Sequence, residues 1–180
     1  MKLFIVAGKA RHGKDTTCSI IKDVYEEKGL KVINLSYGSY IKMYAQKISN
    51  WDGNEETKPR ELLQKLGTDI IRHKIDYNFF VNRICEDILV YSYFFDVITI
   101  SDARFVNEIE IPKSKFDNVI TIHVERTGYT GNLTSGELKH ETEVALDNFT
   151  DYDFILKNNG TIDDLKNNVL EIIKEVEHES

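Results

Sequence analysis

Lys2-Leu-Phe-Ile-Val-Ala7, running directly into Gly8-Lys-Ala-Arg-His-Gly13-Lys14-Asp15-Thr16-Thr17, decides how this chain is read. The first six residues are an almost unbroken apolar run, which is the pattern of a strand buried on both faces. The next seven fit G-x-x-x-x-G-K, and residues 15–28 carry Ile20, Ile21, Val24 and Tyr25 on one helical face, with Gly29 as a stop. A strand before and a helix after are the context that gives this pattern its meaning as a phosphate loop. Gly8 and Gly13 let the backbone curl so that its N–H groups converge, and the helix start adds its positive dipole end. Gly8, Lys9, Arg11, Gly13, Lys14, Asp15, Thr16 and Thr17 are therefore the candidate nucleotide-binding residues. Lys14 is the cation that follows the charge of a transferring phosphoryl group. Asp15 stands where Ser or Thr usually offers a hydroxyl to Mg²⁺. A carboxylate is a good hard ligand there, although an acid in a helix's first turn also favours the dipole unaided.

Outward from this stretch, strand-like and helix-like segments alternate. Residues 31–36, 96–101, 119–125 and 153–157 read as strands. Helices are expected from about Pro59, where Leu62, Leu63, Leu66, Ile70 and Ile71 recur, from 78 to 93, and after Thr161. The expectation is an α/β fold: one domain over 1–180, a mostly parallel sheet and helices on both faces. Ligands in such folds bind beyond the carboxyl ends of the strands, so the turns after Ala7, Ser36, Ser101 and Glu125 matter most.

Asp102 and Arg104 follow the third of these strands. Asp102 is placed to organise metal or act as base, and Arg104 has the planar fork that suits phosphate. A solvated turn with an Arg104–Glu108 surface pair is the plain alternative. Arg60, Gln64 and Arg72 can face one way within a helical region of about 37–95, and Phe80 is one of several aromatics able to form a stacking wall. Glu108 is a further candidate acceptor contact. Arg126 opens a polar, Gly-rich stretch of about 126–140 that His140 and Glu143 close. A lid carrying Arg126 would suit phosphoryl transfer, and a surface loop is the equal alternative.

Composition narrows the class. Net charge is −7, which disfavours general nucleic-acid binding. Two Cys make no disulfide framework, the apolar start is too short for a signal peptide, and no run is long enough to span a membrane. A cytoplasmic protein that takes small molecules, with no nucleic-acid or membrane partner, is expected. A homodimer is compatible with the sequence.

Five elements together resemble the deoxynucleoside monophosphate kinases of phages and bacteria: GKARHGKDTT at 8–17, RELLQKLGTDIIR at 60–72, SDARFVNE at 101–108, HETE at 140–143 and NNGTIDDL at 158–165. Asp after the loop lysine is typical of that group. Two positions depart from its pattern, which commonly has Pro where Val106 stands and Trp where Phe80 stands. The resemblance implies a P-loop kinase fold with a central five-stranded parallel sheet, ATP and Mg²⁺, and a deoxynucleoside monophosphate acceptor. It implies Asp102 and Arg104 on the acceptor side and the Asn159–Gly160 turn near adenine. Kinases of phosphomevalonate or dephospho-coenzyme A type share parts of this pattern, and a nucleotide-binding regulator without transfer activity is the reading from another class.

Overall fold

The structure, a computed structural model, describes residues 1–129 and 140–178. Most of the lid-like stretch expected at 126–140 therefore lies outside the described residues. The apolar runs form the expected parallel sheet, with strands β1 (Lys2–Ala7), β2 (Val32–Leu35), β3 (Val97–Ala103), β4 (Val119–Glu125) and β5 (Phe154–Lys157). Their spatial order is β2-β3-β1-β4-β5, all parallel. The central β1 is buried from Leu3 to Ala7.

Side chains alternate across β1 and so feed two cores. Phe4 and Val6 join Ile120, Ile122 and Val124 beneath α1 (Lys14–Glu27) and the last helix, whose Leu165, Val169, Ile172, Ile173 and Val176 form its buried stripe. Leu3, Ile5 and Ala7 join Ile98 and Ile100 on the other face, beneath Tyr37, Ile71, Phe80, Ile84, Ile88 and Ile109.

That second face is built from α2 (Tyr37–Ser49), a helical stretch that begins as α3 (Arg60–Gln64) and winds as a π-helix from Lys65 to Ile75, α4 (Phe79–Tyr91) and α5 (Asn107–Lys115). The last two helical segments are α6 (Glu141–Val144), a single turn, and α7 (Ile162–His178). α5 and α6 were not expected from the sequence, and α2 only as part of a helical region of about 37–95, without bounds of its own. α5 even contains Pro112, which lacks the N–H that would bond the Glu108 carbonyl four residues earlier. The Tyr37 hydroxyl donates to that carbonyl at 2.9 Å, so the vacancy is filled from α2. Wide π turns recur at functional sites, and here they carry Thr68 and Arg72, both buried. Gly67 in the same stretch lies against α2: a Cβ there would meet Ile41 Cδ1 at 2.8 Å. Among the described residues no helix is long and apolar enough to cross a membrane.

Candidate active site

The loop between β1 and α1 is shaped by three left-handed residues, Gly8 (φ 141°), Arg11 (φ 60°) and Gly13 (φ 107°). Arg11 has a Cβ and so carries strain of about 1 kcal/mol or more, of the kind kept at functional sites. The two glycines are also required by close approach. A Cβ on Gly8 would meet the Val124 carbonyl oxygen at 2.5 Å, and one on Gly13 would meet Asn158 Nδ2 at 2.5 Å. Asn158 Nδ2 donates to the His12 carbonyl at 2.8 Å, which ties the end of β5 to the loop. His12, buried within the loop, reaches the other way. The Arg126 backbone N–H donates to its Nδ1 at 3.2 Å, so the ring proton belongs on Nε2, which lies 3.2 Å from the Tyr129 carbonyl as its donor. The sequence reading gave His12 no role; the variable position it occupies in the loop pattern holds no signal for one.

Lys14 is buried, and its Nζ donates to the Lys9 carbonyl at 2.8 Å. Burial, and then the neighbouring Arg104 guanidinium, pull its amine down to about 8, against the opposing carboxylates of Glu143, Asp15 and Asp102. Two cations thus converge where β1 and β3 end, in a chain that is acidic overall.

Arg104 forms no pair with Glu108. Its guanidinium reaches Glu143 on α6 (Nη1 to Oε1, 2.5 Å), while its backbone N–H donates to Glu108 Oε2 at 2.7 Å. The Phe105 N–H reaches the same oxygen at 3.1 Å, and Arg72 Nη2 closes a buried ion pair with Oε1. Arg72 lies over the rings of Phe105 (4.0 Å to the centroid) and Phe80 (5.2 Å). Burial pushes the Glu108 carboxyl up, with Arg72 and the Arg104 N–H pulling back. Phe80 and Glu108, expected to touch an acceptor, are 0% and 1% exposed. Both act from beneath, Phe80 by supporting Arg72 and Glu108 by fixing the backbone that aims Arg104. Arg72 Nη1 is buried without a partner among the described residues. Arg60 and Gln64 are exposed on α3 and lie outside this cluster.

Asp102 is already heavily committed. Its carboxylate accepts from Ser36 Oγ (2.7 Å) and from the N–H groups of Tyr37 (2.9 Å) and Gly38 (2.8 Å). It therefore caps α2 from another strand, satisfying donors that a helix start leaves open. Asp15, Thr16 and Arg11 are exposed, whereas Thr17 is buried. Arg126 stacks on Tyr129 at 4.3 Å. Asn159 Oδ1 accepts from the Thr127 N–H at 2.8 Å, so the turns after β4 and β5 are clamped together. Gly160 follows at the start of α7, where a Cβ would meet Asp164 Oδ2 at 2.5 Å.

A cavity of about 570 Å³ opens beside the loop, between Gly8, Lys9, His12 and Arg104 on one side and Glu143, Phe149 and Tyr152 on the other. Its volume is in the range of small-molecule sites. His123 and Tyr152 also line it, with ring centroids 4.7 Å apart. Neither His123 Nδ1 nor the Tyr152 hydroxyl has a partner among the described residues.

A parallel sheet in this order, with a phosphate loop at the end of its central strand, is that of the P-loop kinases. The chain superposes over nearly its whole length on solved members. These include a shikimate kinase of Bacteroides thetaiotaomicron (TM-score 0.55, 12% identity, 98% of each chain), a dephospho-CoA kinase of Campylobacter jejuni (0.54, 15%, 97% of each) and an APS kinase of Mycobacterium tuberculosis (0.56, 10%, 96% of each). At such identities the likeness concerns the fold alone. The family model described as deoxynucleotide monophosphate kinase matches residues 28–169, most of the chain, and the chain belongs to that family. The matched range begins after the phosphate loop, so the loop's assignment rests on its own geometry. The deoxynucleotide monophosphate kinase of Escherichia phage RB69 is 29% identical over 122 residues, 67% of this chain and 47% of that protein. A protein of Acanthamoeba polyphaga mimivirus is 30% identical over 124 residues, 64% of this chain and 61% of that protein. The chain thus spans about half to three fifths of the length of these relatives.

Proposed function

We propose that the protein transfers the γ-phosphoryl group of ATP to the phosphate of a deoxynucleoside monophosphate. An acceptor phosphate oxygen attacks the γ-phosphorus, the bond to the β–γ bridging oxygen breaks, and a nucleoside diphosphate and ADP result. The observation that carries this reading is the convergence of Lys14 and Arg104 at the ends of β1 and β3. Phosphoryl transfer needs little beyond positioning and charge stabilisation, and this pair supplies cations to both sides of the group in flight. Lys14 holds the moving phosphoryl. Arg104 grips the acceptor phosphate, and Arg72 backs it through Glu108. Arg126, at the mouth of the same cavity, adds charge from β4. Gly8 to Thr17 receive the triphosphate, and Asn159 and Gly160 border the adenine. Arg60 and Gln64 approach the acceptor's base from α3.

The residues fit a metal that arrives with the phosphates. Among the described residues no group of three or more His, Cys, Asp or Glu could hold one unaided. Asp15 and Asp102 both bear electrostatically on Lys14, and Mg²⁺ is commonly held by one or two carboxylates plus phosphate oxygens and water. Asp15 is the freer ligand. Asp102 has three of its roughly four acceptor positions in use. When bound, Mg²⁺ neutralises charge across the β- and γ-phosphates.

The enzyme acts on free nucleotides in the cytoplasm in this reading, in keeping with its negative charge and two free buried thiols. A homodimer would cover the exposed apolar patch of Leu89 and Val90 on α4 and Tyr93 and Phe94 in the turn after it. The test is Lys14→Ala, with turnover and thermal melting measured together. Transfer is abolished while the melt is retained, because the amine serves phosphate and not the core. Turnover like that of the unaltered protein would remove the assignment.

A further inference from the structure

Three groups that the proposed reaction needs for phosphate are held by carboxylates of one short segment. Glu143 Oε2 accepts the backbone N–H of Ala10, inside the phosphate loop, at 3.0 Å. Its Oε1 takes Arg104 at 2.5 Å. Four residues on, Asp147 pairs with Lys9 at 2.8 Å. Glu143 is 10% exposed at its side chain and Arg104 24%, so this is no loose surface pair, whereas Lys9 and Asp147 are nearly half exposed. A carboxylate bridging a loop N–H and a guanidinium offers the same donors what a phosphate oxygen would offer them, a charge-assisted acceptor.

We infer that Glu143 is the residue that makes transfer depend on the acceptor, by standing in for phosphate until the acceptor arrives. This rests on the reading of Arg104 as the acceptor's grip. An acceptor phosphate on Arg104 removes one of the two partners that hold Glu143. The carboxylate then leaves Ala10, and the loop N–H and its surroundings become available to the triphosphate without a competing negative charge. Donor and acceptor therefore bind with positive coupling, and by thermodynamic reciprocity each tightens the other by the same factor. The consequence is selectivity against water. While the acceptor is absent, Glu143 keeps ATP poorly seated, so attack of water on the γ-phosphorus, which would break the same P–O bond to give ADP and inorganic phosphate, is held down.

The experiment is a calorimetric titration of magnesium tripolyphosphate into the full chain and into Glu143→Gln, each with and without deoxynucleoside monophosphate. Tripolyphosphate probes the loop without needing adenine or turnover. Without acceptor, Glu143→Gln binds it about tenfold or more tightly than the unaltered chain, from the loss of one charge-assisted contact. Adding acceptor tightens binding to the unaltered chain by a similar factor and leaves the variant nearly unchanged. ATP hydrolysis without acceptor rises in the variant. Asp147→Asn has a smaller effect, since its partner is exposed. Should Glu143→Gln melt early, the coupling in the unaltered chain alone still decides. Equal tripolyphosphate affinities in the two proteins, or an unaltered chain whose affinity ignores the acceptor, overturn the inference. Failure of the kinase reading shows separately: no monophosphate is then phosphorylated, while the tripolyphosphate comparison without acceptor still reports on Glu143.

Discussion

Changing Glu108 to Gln alters one oxygen of a side chain that is 1% exposed, yet it should be among the most damaging substitutions in the molecule. Both carboxylate oxygens are in use. One accepts the N–H groups of Arg104 and Phe105, and the other accepts Arg72. A carboxamide has a single acceptor oxygen, so its NH₂ must face either two backbone donors or a guanidinium. In either orientation the buried Arg72 loses its counter-charge between Phe80 and Phe105. Breaking a buried pair from one side costs roughly 3–5 kcal/mol. For a chain of this size that lowers Tm by roughly 6–20 °C. Where the NH₂ faces the backbone, the Arg104 N–H also loses its acceptor and Arg104 is released, so the acceptor KM rises while ATP binding changes little. Thermal melting and an acceptor titration at saturating ATP measure the two effects. The double variant Arg72→Met with Glu108→Gln removes the stranded cation. The amide oxygen can then turn to the Arg104 and Phe105 N–H groups, so much of the stability returns and the acceptor KM falls back toward that of the unaltered chain. A single variant within about 1 kcal/mol of the unaltered chain would refute the buried pair, since even a surface substitution can cost half that.

Lys14, pulled down to about 8, carries its charge below that pH and loses it above. The KM for ATP should therefore rise as pH passes through about 8, and Lys14→Arg should flatten that rise whatever its residual rate. Arg104→Lys should already cost roughly ten- to a hundredfold in acceptor kcat/KM, because Lys cannot reproduce the fork; an acceptor titration at saturating ATP checks it. Asp15→Ala should move the Mg²⁺ dependence of turnover more than metal-free ATP binding, as compared in parallel magnesium titrations. Tyr37→Phe leaves the Glu108 carbonyl in α5 without its donor and should cost about 1–3 kcal/mol in denaturant melts.

Much of the frame was legible because its causes are local. The run at 2–7 is apolar on both faces and becomes the central strand, and the loop glycines sit where the backbone turns left-handed. The rest escaped because its causes are distant in sequence. The bounds of α2 within the helical region of about 37–95 escaped because Gly38 and Ser39 interrupt its start, and the cap that begins it is Asp102, more than sixty residues away. Pro112 lacks the N–H that would bond within α5, and the distant Tyr37 hydroxyl fills the place. The Leu62–Ile71 periodicity indicated a helix but could not distinguish α from π winding.

At the site, the loop residues and Arg104 were legible from motif and position, but burial was not. Arg72 and Glu108 read as acceptor contacts in the sequence, and it takes the Phe80 and Phe105 rings to bury them as a pair. Glu143 belonged to a quoted motif without a role, since nothing local indicates that it reaches the phosphate loop.

The central claim is phosphoryl transfer to a monophosphate, and following the γ-phosphate itself tests it most directly. ATP labelled at the γ position is incubated with the protein, Mg²⁺ and each of the four deoxynucleoside monophosphates in turn, and the products are separated. The account predicts label in a deoxynucleoside diphosphate for at least one acceptor, with ADP formed in equal amount and little of either when the acceptor is omitted. Label that appears only as inorganic phosphate, at a rate indifferent to every monophosphate, would contradict it.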